Sequence, residues 1–325
     1  MIKKILIAIV VLLVVAAGYI YSRTDPSGDI DKYQSYFVDD GNRPSDGRVR
    51  VTFFGVSTLL IDDGQTQILI DGFFSRYPMA TILASEIHSD TATINRYIRD
   101  YKIDRLKGIF VAHSHYDHSF DVGYIANKTG ATLYGSKSTL NVGRGANVPE
   151  SQMAEFQLNK DLAFGNFMMR VMPSKHSPSD GKLDGEITEP ISQPAPMKEY
   201  LEGGAYDFLI TRKGKKIYIK PSPNFIPGAL DSLDVDALFL GITTITKRDS
   251  SWTNSFYHEN VTALQPSLLI PLHWDDFFEP ISDHLPMLPK AMATVEDDFD
   301  YMINRTKADG IGFKILQGTK SIVLF

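Results

Sequence analysis

The stretch that decides the reading is VAHSHYDHSFD, residues 111–121. The chain has only eight histidines in 325 residues, yet three of them, with an aspartate, fall within six positions here. At this composition a His-x-His-x-Asp-His match somewhere in the chain has a chance probability on the order of a few in ten thousand. Neutral imidazoles and a carboxylate at this density suit a borderline divalent cation such as zinc. Just upstream, GIFVAH (108–113) reads as a short apolar strand running into the cluster. His113, His115, Asp117 and His118 are therefore expected at the C-terminal end of a buried strand, where α/β sheets expose their chemistry.

Working outward, RVRVTFF (48–54), STLLIDD (57–63) and TQILIDG (66–72) read as strands, the last two joined through the hairpin signal Asp63-Gly64. DVGYIANKTG (121–130) predicts a helix ending at Gly130. Further strands are expected at 169–173, 206–212, 216–220, 236–242, 267–273 and 321–325, with helices near 254–264 and 287–304. Strand runs alternating with helices in both halves predict an α/β protein: two packed sheets with helices outside, a four-layer αβ/βα sandwich. His176 then falls just past one apolar strand and His273 directly after another, so five histidines sit at strand ends that can converge.

Composition bounds the function. At 43% hydrophobic and 22% charged the chain can bury a full core, and a net charge of −6 argues against a nucleic-acid partner held by phosphate contacts. With no cysteine, neither disulfides nor thiolate ligands exist. Residues 1–21 begin MIKK and continue with an uncharged apolar run over 5–20, either the core of a cleaved secretory signal or a short membrane anchor. The anchor is the favoured reading, and Lys3 and Lys4 would leave the rest of the chain outside the cytoplasm. Residues 22–48, rich in Pro, Gly, Ser and Asp, read as a linker, and 49–325 as one catalytic domain.

The order His113-Ser114-His115-Tyr116-Asp117-His118, then His176, then His273, with GVSTLLID (55–62) and the hairpin ending Leu69-Ile70-Asp71-Gly72, resembles the metallo-β-lactamase-fold hydrolases. Within them the chain is similar to the branch of ascorbate-phosphate lactonase and N-acyl-phosphatidylethanolamine phospholipase D. The resemblance implies that His113, His115 and His176 hold a first metal and that Asp117, His118 and His273 hold a second. In those hydrolases the strand resembling KIYIK ends in Gly-Asp, whose carboxylate bridges the metals. Here the chain reads IYIKPSPNF, with Ser222 at roughly that position. A serine hydroxyl is a poor ligand for a divalent cation, so the second zinc is expected to be weaker or absent.

A cation held by three imidazoles with an open position brings the pKa of bound water from about 16 towards 7 and supplies hydroxide for attack on an ester, lactone or phosphodiester. If only one metal binds, Asp117 is the best general base. Asp71 and Asp121 match positions that orient ligand imidazoles, or are hairpin-turn and helix-start aspartates. Tyr116 could hold a substrate oxygen or simply pack, and Asn224 could donate to a substrate oxyanion. Asp275 and Asp276 follow His273 closely enough to support it or to cap the next segment. The long Pro-bearing stretch 177–204 reads as a lid or binding loop that suits a small or lipid-like substrate. The alternative is a catalytically silent metal-binding scaffold of the same fold, motivated by the missing carboxylate.

Overall fold

The structure, a computed structural model, describes residues 22–41, 47–179 and 181–325, together with isolated positions among the first 21. The apolar run 5–20 therefore lies largely outside the described residues. Among those described, no helix is long and apolar enough to cross a membrane.

Among the described residues, fourteen strands make two seven-stranded sheets. The first is built from β1 (Val49–Phe53), β2 (Leu59–Asp62), β3 (Gln67–Ile70), β4 (Leu106–Phe110), β5 (Thr132–Gly135) and β6 (Met153–Glu155). The second takes β7 (Asp161–Phe164), β8 (Phe167–Pro173), β9 (Tyr206–Arg212), β10 (Lys215–Lys220), β11 (Ala237–Gly241), β12 (Leu268–Leu272) and β13 (Gly312–Phe313). The C-terminal β14 (Ser321–Leu324) returns to pair antiparallel with β1. The expected Asp63-Gly64 hairpin forms, with Asp63 Oδ1 accepting from the Gln65 and Thr66 amides and Gly64 at φ +88°. That positive φ is the reason for glycine there. Helix Val122–Thr129 ends at Gly130 in the left-handed conformation, as its sequence predicts.

The sheets share one apolar core. Phe110 of β4 crosses between them, 5.3 Å from Phe164 and 6.2 Å from Phe208 by ring centroid. Gly108, two residues before it, leaves the space: a Cβ there would lie 2.7 Å from the Phe164 ring. β11 is buried at every position, as expected of a strand flanked by parallel neighbours and covered on both faces.

Topology fixes where the chemistry goes. β3 and β4 are parallel, so Asp71 and the His113 segment leave the same edge of the first sheet. In the second sheet β8 and β10 are each antiparallel to β9, and β10, β11 and β12 run parallel. The chain therefore leaves β8, β10 and β12 at one common edge, which carries His176, Ser222 and His273.

Two expectations need correction. The helix expected over 287–304 runs instead over Val295–Ala308, because Pro286 and Pro289 break the start and Met287 bridges to Asp275. The segment 22–48 is not a free linker where it is described. Tyr33, in the short helix Ile30–Tyr36, packs edge-on against Phe299 and donates to Asp300 Oδ1 at 2.7 Å, while Phe37 bridges to Ile315. The stretch 177–204 is irregular but anchored. Ile187, Ile191 and Tyr200 are buried, and Glu202 O accepts from Ser114 N at 2.7 Å.

Candidate metal centre

The short helical turn Tyr116–Ser119 follows β4 and places Asp117 and His118 one step past His113 and His115. Its start is pinned by Ser119 Oγ, which donates to the Ser114 and His115 carbonyls. Two ligand groups result. One nitrogen from each of His113, His115 and His176 forms a set within 4.8 Å, and Asp117, His118 and His273 form a second. The rings of His113 and His118 lie 3.9 Å apart by centroid, so the groups adjoin. His176, more than fifty positions downstream, stands 4.7 Å from His113 and 4.6 Å from His115.

Several contacts show what these side chains are set up to do. His118 Nδ1 is 2.8 Å from Asp71 Oδ2 and 3.0 Å from Ser57 Oγ, which also donates to Asp71. Asp71 Oδ1 accepts from the Ala112 amide at 2.7 Å, so the carboxylate is locked. With Nδ1 engaged, His118 Nε2 points into the second group, fully buried and without a hydrogen-bond partner. A buried ring nitrogen left unpaired beside Asp117 Oδ2, at 3.5 Å, is what a cation ligand needs to be. His115 spends Nε2 on the Leu183 carbonyl at 3.2 Å, which leaves Nδ1 for the first group. The residues present fit a divalent cation at each group.

Electrostatics agree. Burial holds His113 well below the usual imidazole range, with the rings of His118 and His176 adding to the effect. Burial pushes His176 down to about 3 and lowers His115 as well. Those three are neutral at physiological pH, the protonation state that binds metal. Burial opposes protonation of His118 too, but the carboxylates of Asp117 and Asp71 outweigh it and raise its pKa. For Asp117 burial favours the neutral acid, yet His118 and the hydrogen bond to His273 at 3.1 Å hold the carboxyl well below the usual carboxylate range.

The remaining predicted residues separate. Ser222 lines the cavity beside the ligands and is nearly buried. Asn224 does not face a substrate: Nδ2 donates to the His176 carbonyl at 2.6 Å and Oδ1 accepts from Phe225 N. It ties the His176 loop to the chain after β10. Asp121 is buried, and its Oδ2 accepts from the Phe74 and Ser75 amides rather than from a ligand imidazole. Tyr116 packs edge-on against Phe73 and Phe120 and donates to Ser75 O at 3.3 Å. His88, His258 and His284 are exposed and outside both groups.

Sequence reasoning missed Ser57, Arg76 and the cavity wall. Arg76 forms a buried ion pair with Asp275 at 2.9 Å. Asp275 Oδ1 accepts from Val56 N and Val56 O accepts from His273 N, both at 2.7 Å. Val56 and His273 have φ of 53° and 61°, a conformation that costs about 1–3 kcal/mol each and persists only where surroundings enforce it. The cavity over the ligands, about 280 Å³, is walled by Phe277, Leu288, Met292, Leu183 and the hydroxyls of Ser177, Thr243 and Thr244.

The sequence profile of the metallo-beta-lactamase superfamily matches residues 51–269, about two thirds of the chain and all six candidate ligands except His273. The chain belongs to this superfamily. A UPF0173 metal-dependent hydrolase of Heliobacterium modesticaldum is 26% identical over 242 residues, covering 70% of this chain and 84% of its own length. Among solved structures, the metallo hydrolase Igni18 of Ignicoccus hospitalis covers 85% of this chain and 98% of its own, at 15% identity and a TM-score of 0.55. CmlA, a diiron beta-hydroxylase of Streptomyces venezuelae, covers 85% of this chain and 54% of its own at 14% identity and 0.54. At such identities the likeness is one of fold, shared by a protein named as a hydrolase and one named as a hydroxylase.

Proposed function

We propose that the chain is a zinc-dependent hydrolase that directs water at an ester, lactone or phosphodiester bond, and that it belongs with the lactonase and phospholipase D branch. The observation that carries the reading is the convergence of His176 and His273, from separate strands of the second sheet, on the His113–His118 turn of the first. Relatives named metal-dependent hydrolases support it. The donor set of imidazole and carboxylate without thiolate supports zinc.

When bound, zinc lowers the pKa of coordinated water towards 7 and polarises a substrate oxygen. The protein's own residues supply the rest. His113, His115 and His176 are kept neutral by burial and held by strand ends. Asp71 fixes the ring of His118 through Nδ1 and leaves Nε2 as the ligand atom. Asp117 is kept ionised, so Oδ2 serves the second cation or, where that is weakly bound, accepts the proton of the attacking water. Ser222, which lines the cavity with the ligand groups, brings no negative charge, so a second cation would be bound more weakly than the first.

The exposed apolar side chains of Ile7, Ile9, Val10, Val11 and Leu12, all more than half exposed, support an N-terminal anchor or signal that carries the domain across a membrane. Cell fractionation of the full chain tests that placement, and a wholly cytosolic protein would refute it. For the function itself, purified protein is assayed on a generic carboxylic ester, a lactone and a phosphodiester, before and after chelation and zinc return. Turnover that vanishes and is restored supports the hydrolase. Bound zinc with no turnover of any of the three favours the silent scaffold.

A further inference from the structure

We propose that the cavity takes an uncharged carboxylic ester or lactone whose acyl side carries a hydrocarbon arm, seated against Phe277, Leu288 and Met292. This rests on the reading of the two ligand groups as a hydrolytic centre and decides among the bonds that reading allows.

The apolar wall begins at the chemistry. The ring of Phe277 stands edge-on to His273 with centroids 5.7 Å apart, and a second ring, Phe278, backs it at 4.5 Å. Leu288 is held in the wall by its amide, which donates to Trp274 O at 3.0 Å, and is almost fully buried. Met292 is 36% exposed at the lip. An unbranched, polarisable side chain at a cavity mouth adapts to arms of different shape. The wall thus runs from the second ligand group to solvent.

The described lining also offers an anionic substrate no cationic side chain, so its charge would be met by the cations at the two groups alone. Among the described residues that line it there is no lysine or arginine. Three of the basic side chains near it are committed elsewhere, and Lys175, beside His176, is exposed and lines the adjoining cleft rather than this cavity. Lys247 Nζ donates to the Met292 carbonyl at 2.8 Å, and Arg248 donates to the Pro178 carbonyl and lies over Trp252. Lys220 is buried on Asp207 and Ser174. The lining hydroxyls not engaged by Asp184 or by the His273 carbonyl, those of Ser177, Ser222 and Thr244, are neutral. They suit one carbonyl oxygen and one leaving-group oxygen, whereas a phosphodiester would bring a full charge into a partly apolar cavity where the cations at the two groups, and no cationic side chain of the lining, would offset it. The reaction balances as one water added: the water oxygen bonds to the carbonyl carbon, the bond to the leaving oxygen breaks, one proton goes to that oxygen, and the acid releases its own to solvent.

Burial of hydrocarbon stabilises by about 0.8 kcal/mol per methylene, which is about fourfold in affinity or in kcat/KM. The test uses the zinc-loaded full chain with p-nitrophenyl acetate, butyrate and hexanoate, and with bis(p-nitrophenyl) phosphate. Calorimetric binding of butan-2-one, hexan-2-one and octan-2-one reads the same wall without turnover. We expect kcat/KM to rise about fourfold per methylene until the cavity is full, ketone affinity to rise in parallel, and the phosphodiester to be the poorest substrate. In Met292→Lys, a substitution at the exposed lip of the wall, both rises should flatten. Length-independent kcat/KM and ketone binding, or preference for the phosphodiester, would overturn this proposal and leave the hydrolase standing. Absence of all turnover would overturn both.

Discussion

The buried pair of Arg76 and Asp275 offers the sharpest energetic test, because it supports His273 without touching the ligand groups. Both side chains are at most 1% exposed. The Arg76 guanidinium also donates to the carbonyls of Phe54 and Asp276, and Gly55, at φ +91°, is the only residue type that fits beneath it: a Cβ there would fall 1.8 Å from Arg76 Nη2. Removing one partner leaves an uncompensated buried charge, which costs about 3–5 kcal/mol. That is a large share of the about 5–15 kcal/mol by which domains are stable. Arg76→Met should cost that much, and Asp275→Asn, which still accepts from Val56 N but leaves the guanidinium without a counter-charge, should fall near the lower end. The double variant removes both charges and should recover to within about 2 kcal/mol of wild type, a strongly non-additive cycle. Urea unfolding followed by fluorescence gives the four stabilities. Single variants that each cost under about 1 kcal/mol, with additive effects, would refute the argument that this pair enforces the left-handed conformation at Val56 and His273.

Three further outcomes follow from the same geometry. Asp71→Asn removes the carboxylate that orients His118 and should weaken zinc at the second group by about 10–100-fold in a calorimetric titration, and an unchanged affinity would count against that role. Asn224→Ala leaves the His176 carbonyl without its donor and should cost about 1–3 kcal/mol in unfolding experiments while raising zinc dissociation from the first group. In chelated protein, His113, His115 and His176 have pKa values below the about 6.5 of an unfolded histidine, so the unfolded chain binds more protons and their contribution, complete above about pH 6.5, is lost as pH falls towards 3. His118, raised, works in the opposite sense: its contribution is present below about pH 6.5 and lost as pH rises through its folded value. Buried carboxyls such as Asp298, pushed up to about 6, titrate in the same window and work in the sense of His118, so the contribution of the lowered histidines is read by difference: Tm should fall more, or rise less, from pH 7 to pH 5 in chelated wild type than in chelated His176→Ala, and an equal pH dependence would contradict it.

The residues that converge in the two candidate groups were legible in the sequence because histidine is scarce and those that converge stand at or just past the end of an apolar strand, a pattern set by backbone and burial rather than by distant contacts. The two-sheet architecture was legible for the same reason. What could not be read depends on partners far apart in the chain. Asp275 looked like a cap or a support until Arg76 and Val56 were seen beside it. Asn224 looked like a substrate donor, but local sequence cannot show that the His176 carbonyl lies 2.6 Å from its amide. Helix Lys137–Gly145, with β-branched, asparagine and glycine residues inside it, has weak intrinsic propensity and went unpredicted. Its burial and the contact of Thr139 with Ser114 Oγ hold it in place. Helix Thr91–Asp100 was missed because only Ile94 and Tyr97 are buried along it, although Asp90 caps it by accepting from the Ala92 and Thr93 amides.

The central claim is that six side chains from both sheets form two adjoining cation sites of unequal strength. Metal content per chain, measured by plasma mass spectrometry after graded chelation of wild type, His176→Ala and His273→Ala, tests it most directly. The account predicts that wild type loses one zinc readily and the other only under strong chelation, that His273→Ala lacks the labile ion, and that His176→Ala lacks the tight one. Wild-type protein that retains no zinc above the buffer, or variants that retain as much as wild type, would contradict it.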